Sequence, residues 1–565
     1  MRAIRLGLAF VVLVGASLGG CSQGVNVAAD QDTASKPAQP TPPPPTPTPP
    51  PPTPPPAAVA DVVQRGYDAD VSGATLNETT LTTANVAPGS FGLVFTLPVD
   101  ANILAQPLYV PNVLVNKAAH NVLYVATMND TLYAFDADQG RVPLWTLNLA
   151  TYEQALPVPI AQFDYGLNFK NDGPKLGILS TPVIDHASNT LYAVSSTLEN
   201  GSLVYRLHAV DITTGVPRMG SGVVISGSYG SVSFDARNLQ QRVSLVLAGD
   251  NVVFGFSAML GAEDCGCTTY SGWVMAYDKS TLAQTGIFAA VTTGNGGGGV
   301  WQSGRPPAVD SSGDVYVFTG NGFTNGYDGV NNFSESVLKL DPAQGLRLVD
   351  WFTPSNWPTL DAQDLDLSSS GPMLVPGTSL LVGGGKTGVL YVLRTGALGK
   401  NTADDSGAAQ QILDTGTLEV HGGPVYWQRA AANGGPLMYD WSGYRLRAFP
   451  FNGSAFATTP AAEGTATQFY PGGILTLSAN GDAPGTGVLW ATIATCCDAQ
   501  NNPPVPGALV AFDASDVSKQ LWNSTTDATH DSFGNLAKFV PPLVANGRVY
   551  VVTWSNQVAV YGLKP

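Results

Sequence analysis

The sequence predicts an all-β protein: a β-propeller of eight four-stranded antiparallel blades closed by an N-terminal strand, with seven blades as the alternative. Its first support is a returning element, an extended stretch ending in a small-apolar-Asp step, followed by a short turn and an aromatic. Copies read Tyr133-Ala134-Phe135-Asp136 with Trp145, His208-Ala209-Val210-Asp211, Met275-Ala276-Tyr277-Asp278, Lys339-Leu340-Asp341 with Trp351, and Val510-Ala511-Phe512-Asp513 with Trp522. Internal recurrence of short β-rich units marks a radial array, because one small sheet cannot bury both faces alone and stacked neighbours bury them for it. The second support is the run of β-branched and aromatic segments bounded by Gly, Pro, Asn and Asp along the whole body of the chain.

The blades follow in order. Blade one runs from Gln106 through Asn121 and Thr131 to Trp145, and blade two from Thr181 past Thr190 to its turn at Asp211. Blade three holds the runs from Val243 and Val252, blade four the run from Asp314, and blade five those from Ser379 and Gly388. Blade six, around Pro436 and Tyr444, diverges most, and blade seven contains the runs from Gly487 and Ala508. The C-terminus then supplies three strands, from Pro541, Arg548 and Gln557. A fourth has to come from elsewhere, and Phe91 to Leu97 is the spare strand of the right kind. Closing the ring with it leaves no bare sheet edge.

The N-terminal region divides into three parts. Residues 1–20 have a basic start at Arg2 and Arg5 and an apolar run from Leu6 to Gly20, too short for a mature membrane span, which is the pattern of an export signal. It ends in Leu18-Gly19-Gly20-Cys21, which resembles the bacterial lipobox. That resemblance implies lipidation of Cys21, a membrane anchor there and, with Ser22 next, the outer membrane. Residues 21–57 form a Pro/Thr-rich stalk, with polyproline-type stiffness from Lys36 to Pro56. Residues 58–88 are an irregular lead-in, and residues 89–565 are the propeller.

Composition narrows the partners. Only 12% of residues are charged, Gly numbers 63 and the net charge is −16. An acidic protein is repelled by phosphate backbones, so nucleic acid is excluded as a partner. Removing Cys21 leaves Cys265, Cys267, Cys496 and Cys497, an even count that in an exported chain suggests disulfides of open connectivity. Zinc is the weaker reading, because no His sits at ligand spacing to either pair.

The repeats resemble those of the pyrroloquinoline quinone (PQQ) propeller class, shared by quinoprotein alcohol dehydrogenases and by non-catalytic envelope lipoproteins. Ala134-Phe-Asp-Ala-Asp-Gln-Gly140 is close to that class's blade-docking motif, with Trp145 one residue late. One region is similar to the dehydrogenases in order: Gly297 to Trp301, Pro307 to Asp310, then Tyr316 to Asn321. The resemblance implies that Trp301 would lie under the quinone ring and that Asn321 would coordinate Ca²⁺. It further implies Asp364 or Asp366 as the base and Lys386 as the cation on the quinone oxygens. Ca²⁺ needs another oxygen ligand, for which Glu263 and Asp264 are the candidates, off the family's spacing because Cys265-Gly-Cys267 intervenes. There is no Cys-x-x-Cys-His, so no covalent haem is expected.

Each of these residues also has a bland role in blade packing, an Asn turn or a solvated loop. The leading expectation is therefore a lipid-anchored binding or scaffold propeller facing an envelope protein or small molecule. The alternative is a periplasmic PQQ- and Ca²⁺-dependent dehydrogenase of alcohols or sugars. Geometry separates them: an enzyme requires Trp301, Asn321, the aspartates and Lys386 to meet on one face.

Overall fold

The computed structural model describes residues 60–162, 175–259, 269–294, 296–323, 325–413, 419–442, 445–466, 469–499 and 504–564. Eight antiparallel sheets of at least four strands follow one another along this chain. Blade one is Leu108–Val115, Ala118–Ala126, Thr131–Asp136 and Pro143–Asn148, innermost strand first. Blade four is Ala308–Val309, Val315–Phe318, Val337–Asp341 and Arg347–Phe352. Blade five is Met373–Leu374, Leu380–Gly384, Val389–Arg394 and Gln410–Leu413. Blade six is complete despite its divergent sequence, with Val425–Trp427, Leu437–Ser442, Arg445–Pro450 and Ala462–Ala466. The count is eight.

The last blade closes as the sequence requires. Leu543–Ala545, Arg548–Val552 and Gln557–Leu563 receive Phe91–Pro98 as their outermost strand, antiparallel from Phe91 opposite Leu563 to Pro98 opposite Gln557. Phe91 is fully buried there, its ring 5.2 Å from Trp490 and 5.1 Å from Trp522. The two ends of the propeller are thus stitched by backbone hydrogen bonds.

The recurrent residues now have physical roles. Asp136, Asp211, Asp278, Asp341 and Asp513 end third strands and accept amide N–H groups two residues on, closing the turn to the fourth. Trp145 docks blade one on blade two: its Nε1–H donates to the Ile212 carbonyl at 3.0 Å, and its ring lies against Gly215. A Cβ on Gly215 would come within 2.6 Å of the indole, and φ there is +71°, so glycine is required twice over.

Residues 60–78 contain almost no regular structure, yet they pair with the innermost strands of seven blades in turn. Val62 exchanges hydrogen bonds with Tyr109, and the carbonyls of Val63, Ala69, Asp70, Ser72 and Gly73 accept from Ile184, Val309, Leu374, Tyr426 and Leu477. The Tyr67 hydroxyl accepts from the Val544 amide, which reaches the last blade. Ala74–Thr75 then adds a short parallel strand beside Leu477 and Ser478. This segment fills the axial channel and satisfies inner-strand amides that a water-filled funnel would leave to solvent.

Three buried arginines finish the axis. Arg65 donates to the Phe539 carbonyl, Arg242 to Leu104, Leu179 and Lys538, and Arg305 to Val71, Pro372, Gly422 and Pro424. Asp440, buried nearby on blade six, has Oδ1 without a hydrogen-bond partner. Burial pushes its pKa up to about 6 against the pull of Ser442 and Arg305. A carboxyl raised in the fold adds stability at low pH, and that contribution is lost as pH rises through the folded value. Asp440→Asn should therefore remove a downward stability slope between about pH 4 and 6, worth about 3 kcal/mol at most. Urea midpoints at pH 4, 5, 6 and 7 for both proteins check this; parallel curves would refute it.

Candidate functional site

Successive strands of a blade alternate in direction, so the turns between second and third strands and the connections between blades emerge on one face. Every described residue of the expected site lies on such a segment. Trp301 precedes blade four, Asn321 lies in that blade's turn, Asp364 and Asp366 join blades four and five, and Lys386 sits in the turn of blade five.

Four of them form one connected group. Lys386 Nζ lies 2.8 Å from Asp364 Oδ1 and 2.6 Å from Asp366 Oδ2. Asn321 donates its side-chain Nδ2–H to Asp364 Oδ1 at 2.7 Å and its backbone N–H to Asp366 Oδ1 at 2.9 Å. Asp364 is placed by the helix Trp357–Gln363, which it terminates in the left-handed region at φ 55°. Gly320 lets Asp366 approach: a Cβ there would lie 2.4 Å from its Oδ1.

Burial opposes the Lys386 ammonium, but Asp366 and Asp364 outweigh it and hold its pKa above the ordinary lysine value. Burial likewise opposes ionisation of Asp366, yet Lys386 and the Asn321 amide keep its pKa below the usual carboxylate range. The pair is a charged clamp at neutral pH. Asp364 differs from Asp366 in access, with 53% of its side chain exposed against 19%.

Several participants carry no signal in a single sequence. Asp361 accepts from the Gly322 amide at 2.7 Å and from Ser334 Oγ at 3.2 Å, and burial pushes its pKa up to about 6. Glu335 is completely buried, and its Oε2 accepts the Leu367 N–H at 2.6 Å. His421, also buried, has Nε2 3.0 Å from Glu419 Oε2 and Nδ1 3.3 Å from Ser303 Oγ. Burial holds its pKa below the ordinary histidine value, so the neutral ring donates Nε2–H to Glu419. The Glu419 amide in turn donates to the Lys386 carbonyl at 2.9 Å, tying this pair to the clamp. With only five His in the chain, His421 before Gly422-Gly423 was the one available hint.

Trp301 joins through aromatic contacts. Its ring stands at 84° to both His421, 5.8 Å away, and Phe539, 5.2 Å away, and Tyr470 packs 4.9 Å from His421. Cys496 and Cys497, in the turn of blade seven, are free thiols with Sγ atoms 2.9 Å apart, and Ala499 donates its N–H to the Tyr470 carbonyl. Glu263, Asp264, Cys265 and Cys267 lie outside the described residues. Among the described residues, no three His, Cys, Asp or Glu side chains group as a metal cage.

A bound cation is tested by unpaired oxygen. Asn321 Oδ1 is buried with no hydrogen-bond partner, although its Nδ2 is fixed on Asp364. A buried amide oxygen held in place and unsatisfied is costly unless something electropositive meets it, and a hard cation is such a group. Trp301 is half-buried, with His421 and Phe539 standing edge-on to its ring.

Comparison with solved structures supports the fold. The chain is similar to quinohemoprotein alcohol dehydrogenase ADHIIG of Pseudomonas putida, with 15% identity, TM-score 0.54, and 89% of this chain matching 80% of that one. It is similar to the quinohemoprotein alcohol dehydrogenase of Comamonas testosteroni at 14% identity and TM-score 0.55, with the same coverage. BamB from Moraxella catarrhalis aligns at 13% identity and TM-score 0.44 over 84% of this chain and 99% of its own. No protein-family model matches the sequence, and no curated protein matches it either. The fold shared with the two dehydrogenase structures is the eight-bladed β-propeller.

Proposed function

We propose that this chain is an exported, envelope-located oxidoreductase of the quinoprotein type, binding PQQ and a hard cation such as Ca²⁺ and oxidising an alcohol or sugar hydroxyl. The supporting observation is the convergence of Asn321, Asp364, Asp366 and Lys386 into one hydrogen-bonded group, with Trp301 on a connection of the same face. Asn321 Oδ1 would hold the cation, Trp301 would lie against the quinone, and Lys386 would face its oxygens. PQQ, when bound, supplies the acceptor for the two electrons and hydrogen leaving the alcohol carbon.

The chain's own groups handle the proton. Asp364, the more exposed carboxylate, would take the hydroxyl proton, while Asp366 stays ionised as the counter-charge of Lys386. The Asn321 Nδ2–H on Asp364 Oδ1 orients that carboxylate before substrate arrives. The Cys21 anchor expected from the sequence would place this chemistry at the outer membrane, with a separate electron acceptor. Among the described residues no helix is long and apolar enough to cross a membrane.

Calorimetric titration of the signal-less protein with PQQ in Ca²⁺ tests this, alongside a Trp301→Ala, Asn321→Ala double variant. Tight binding lost in the variant is expected; no binding by the folded wild type would end the quinoprotein reading.

The binding-scaffold reading keeps one observation of its own. Leu114, Val142, Val216 and Met219 are exposed on or beside blades one and two, with Met219 wholly so. Exposed apolar side chains concentrated on neighbouring blades favour a partner surface there. A photo-crosslinker at position 219 that captures the same envelope protein as one at position 142 would support it.

A further inference from the structure

Glu335 belongs to none of the roles assigned so far. It lies in the turn of blade four, two residues before the strand Val337–Asp341, and its side chain is inaccessible to solvent. Its backbone is left-handed, φ +46°, which a residue with a long side chain adopts only where its surroundings impose it. Those surroundings are visible. The Glu335 amide donates to the Gly320 carbonyl at 3.0 Å, Ser334 to Gly326 at 2.9 Å, and Ser336 to Thr319 Oγ1 at 2.9 Å.

The strained turn delivers the carboxyl to one place. Oε2 accepts the Leu367 N–H at 2.6 Å, and Oε1 is buried with no hydrogen-bond partner. Leu367 follows Asp366, whose carbonyl accepts the Lys386 N–H at 3.0 Å and whose carboxylate takes Lys386 Nζ. Glu335 therefore grips the peptide next to the counter-charge of Lys386.

We infer that Glu335 is a positioning residue of the site: its contact with the Leu367 amide fixes Asp366 against Lys386. What Lys386 is fixed for rests on the function proposed above; that it is fixed by Glu335 does not. Burial, and then the nearby Asp366, push the Glu335 pKa well above the ordinary glutamate value, which favours its neutral form beside the clamp. A neutral acid adds no third negative charge to a clamp with a single ammonium. The residue's φ and orphan oxygen are costs that a merely space-filling side chain would not carry.

The test is the rate at which Lys386 is acetylated in a short acetic anhydride pulse, read by mass spectrometry of its peptide. Lys339 is the internal control: it lies on the strand just after Glu335 but pairs with Asp310 and Asp314. Glu335→Ala should raise Lys386 labelling about tenfold while leaving Lys339 unchanged, the scale on which outer contacts tune a site. Glu335→Gln, which keeps the acceptor and the neutral charge, should label as wild type. Unchanged Lys386 labelling in Glu335→Ala, or equal rises at Lys386 and Lys339, would overturn the inference. If the alanine variant fails to fold, Glu335→Asp decides: one methylene shorter, it should expose Lys386, and wild-type labelling would overturn the inference. Wild-type protein that ignores PQQ while Glu335→Ala frees Lys386 would sink the proposed function and support this one.

Discussion

A chain beginning at Val99 will fail to fold, whereas one beginning at Ala60 will fold and hold its stability. Residues 60–98 contribute six essentially buried large side chains, Val62, Val71, Leu81, Val86, Phe91 and Leu97. At about 1.5–3 kcal/mol for each full burial, their loss removes about 9–18 kcal/mol. The whole stability of a typical domain is about 5–15 kcal/mol, so the deletion exceeds what the ring has to give. It also strips blade eight of its outer strand, leaving Gln557–Leu563 as an open edge, and leaves inner-strand amides of other blades unpaired. Circular dichroism and urea unfolding of the two truncations measure the difference. A milder form of the same experiment is Phe91→Ala, expected to cost about 3–5 kcal/mol because the ring sits among Trp490, Trp522 and Tyr561. A folded protein from Val99 onward would mean that the closing strand and the channel segment are dispensable.

That dependence explains what could and could not be read in advance. The blades were legible because each repeats the same problem, a sheet with two faces to bury, and answers it with the same Asp turn and docking aromatic. The missing strand was legible by counting. The channel segment was not, because residues 60–78 bond each inner strand only once or twice before moving on, which leaves neither a period of two nor one of 3.6. Ala69, Asp70, Ser72 and Gly73 look like any loop, and only the fold shows that their carbonyls are addressed to different blades.

The site divides along the same line. Asn321, Asp364, Asp366 and Lys386 stand in an order that suggested a site, and they lie within direct hydrogen-bonding range of one another. Asp361 joins them from the helix Trp357–Gln363, and Glu335, Glu419 and His421 from loops whose sequences carry no pattern. A carboxyl such as Glu335 is ordinary as a letter and unusual only in being buried, strained and half-unpaired. Glu263 and Asp264 fall outside the described residues, so the second cation ligand rests on sequence alone.

Replacing Lys386 by Met should destabilise the protein by about 2–4 kcal/mol at neutral pH, because it leaves the largely but not wholly buried Asp366 charge without its cation. The pH dependence identifies the cause. In the wild type the Asp366 pKa is depressed in the fold, so its contribution to stability is present above the unfolded carboxylate value and is lost as pH falls through the folded one. In Lys386→Met burial is opposed by the Asn321 amide and Asp364 but no longer by the ammonium, and the folded pKa rises, so the contribution reverses: it is favourable at low pH and disappears as pH climbs. The gap between the two proteins must therefore be widest near pH 7 and close towards pH 3. Urea titrations at those two pH values measure it. Adding Asp366→Asn and Asp364→Asn to Lys386→Met removes the orphaned charges and should recover most of the lost stability, since a buried ion pair replaced whole costs far less than one broken. Binding or turnover should not return with it, because the recovered fold no longer holds the ammonium or the base. A triple variant that regained stability and also bound PQQ as tightly as wild type would place the ligand elsewhere. A gap that stayed constant with pH would show that Lys386 acts through its packed methylenes and not through its charge.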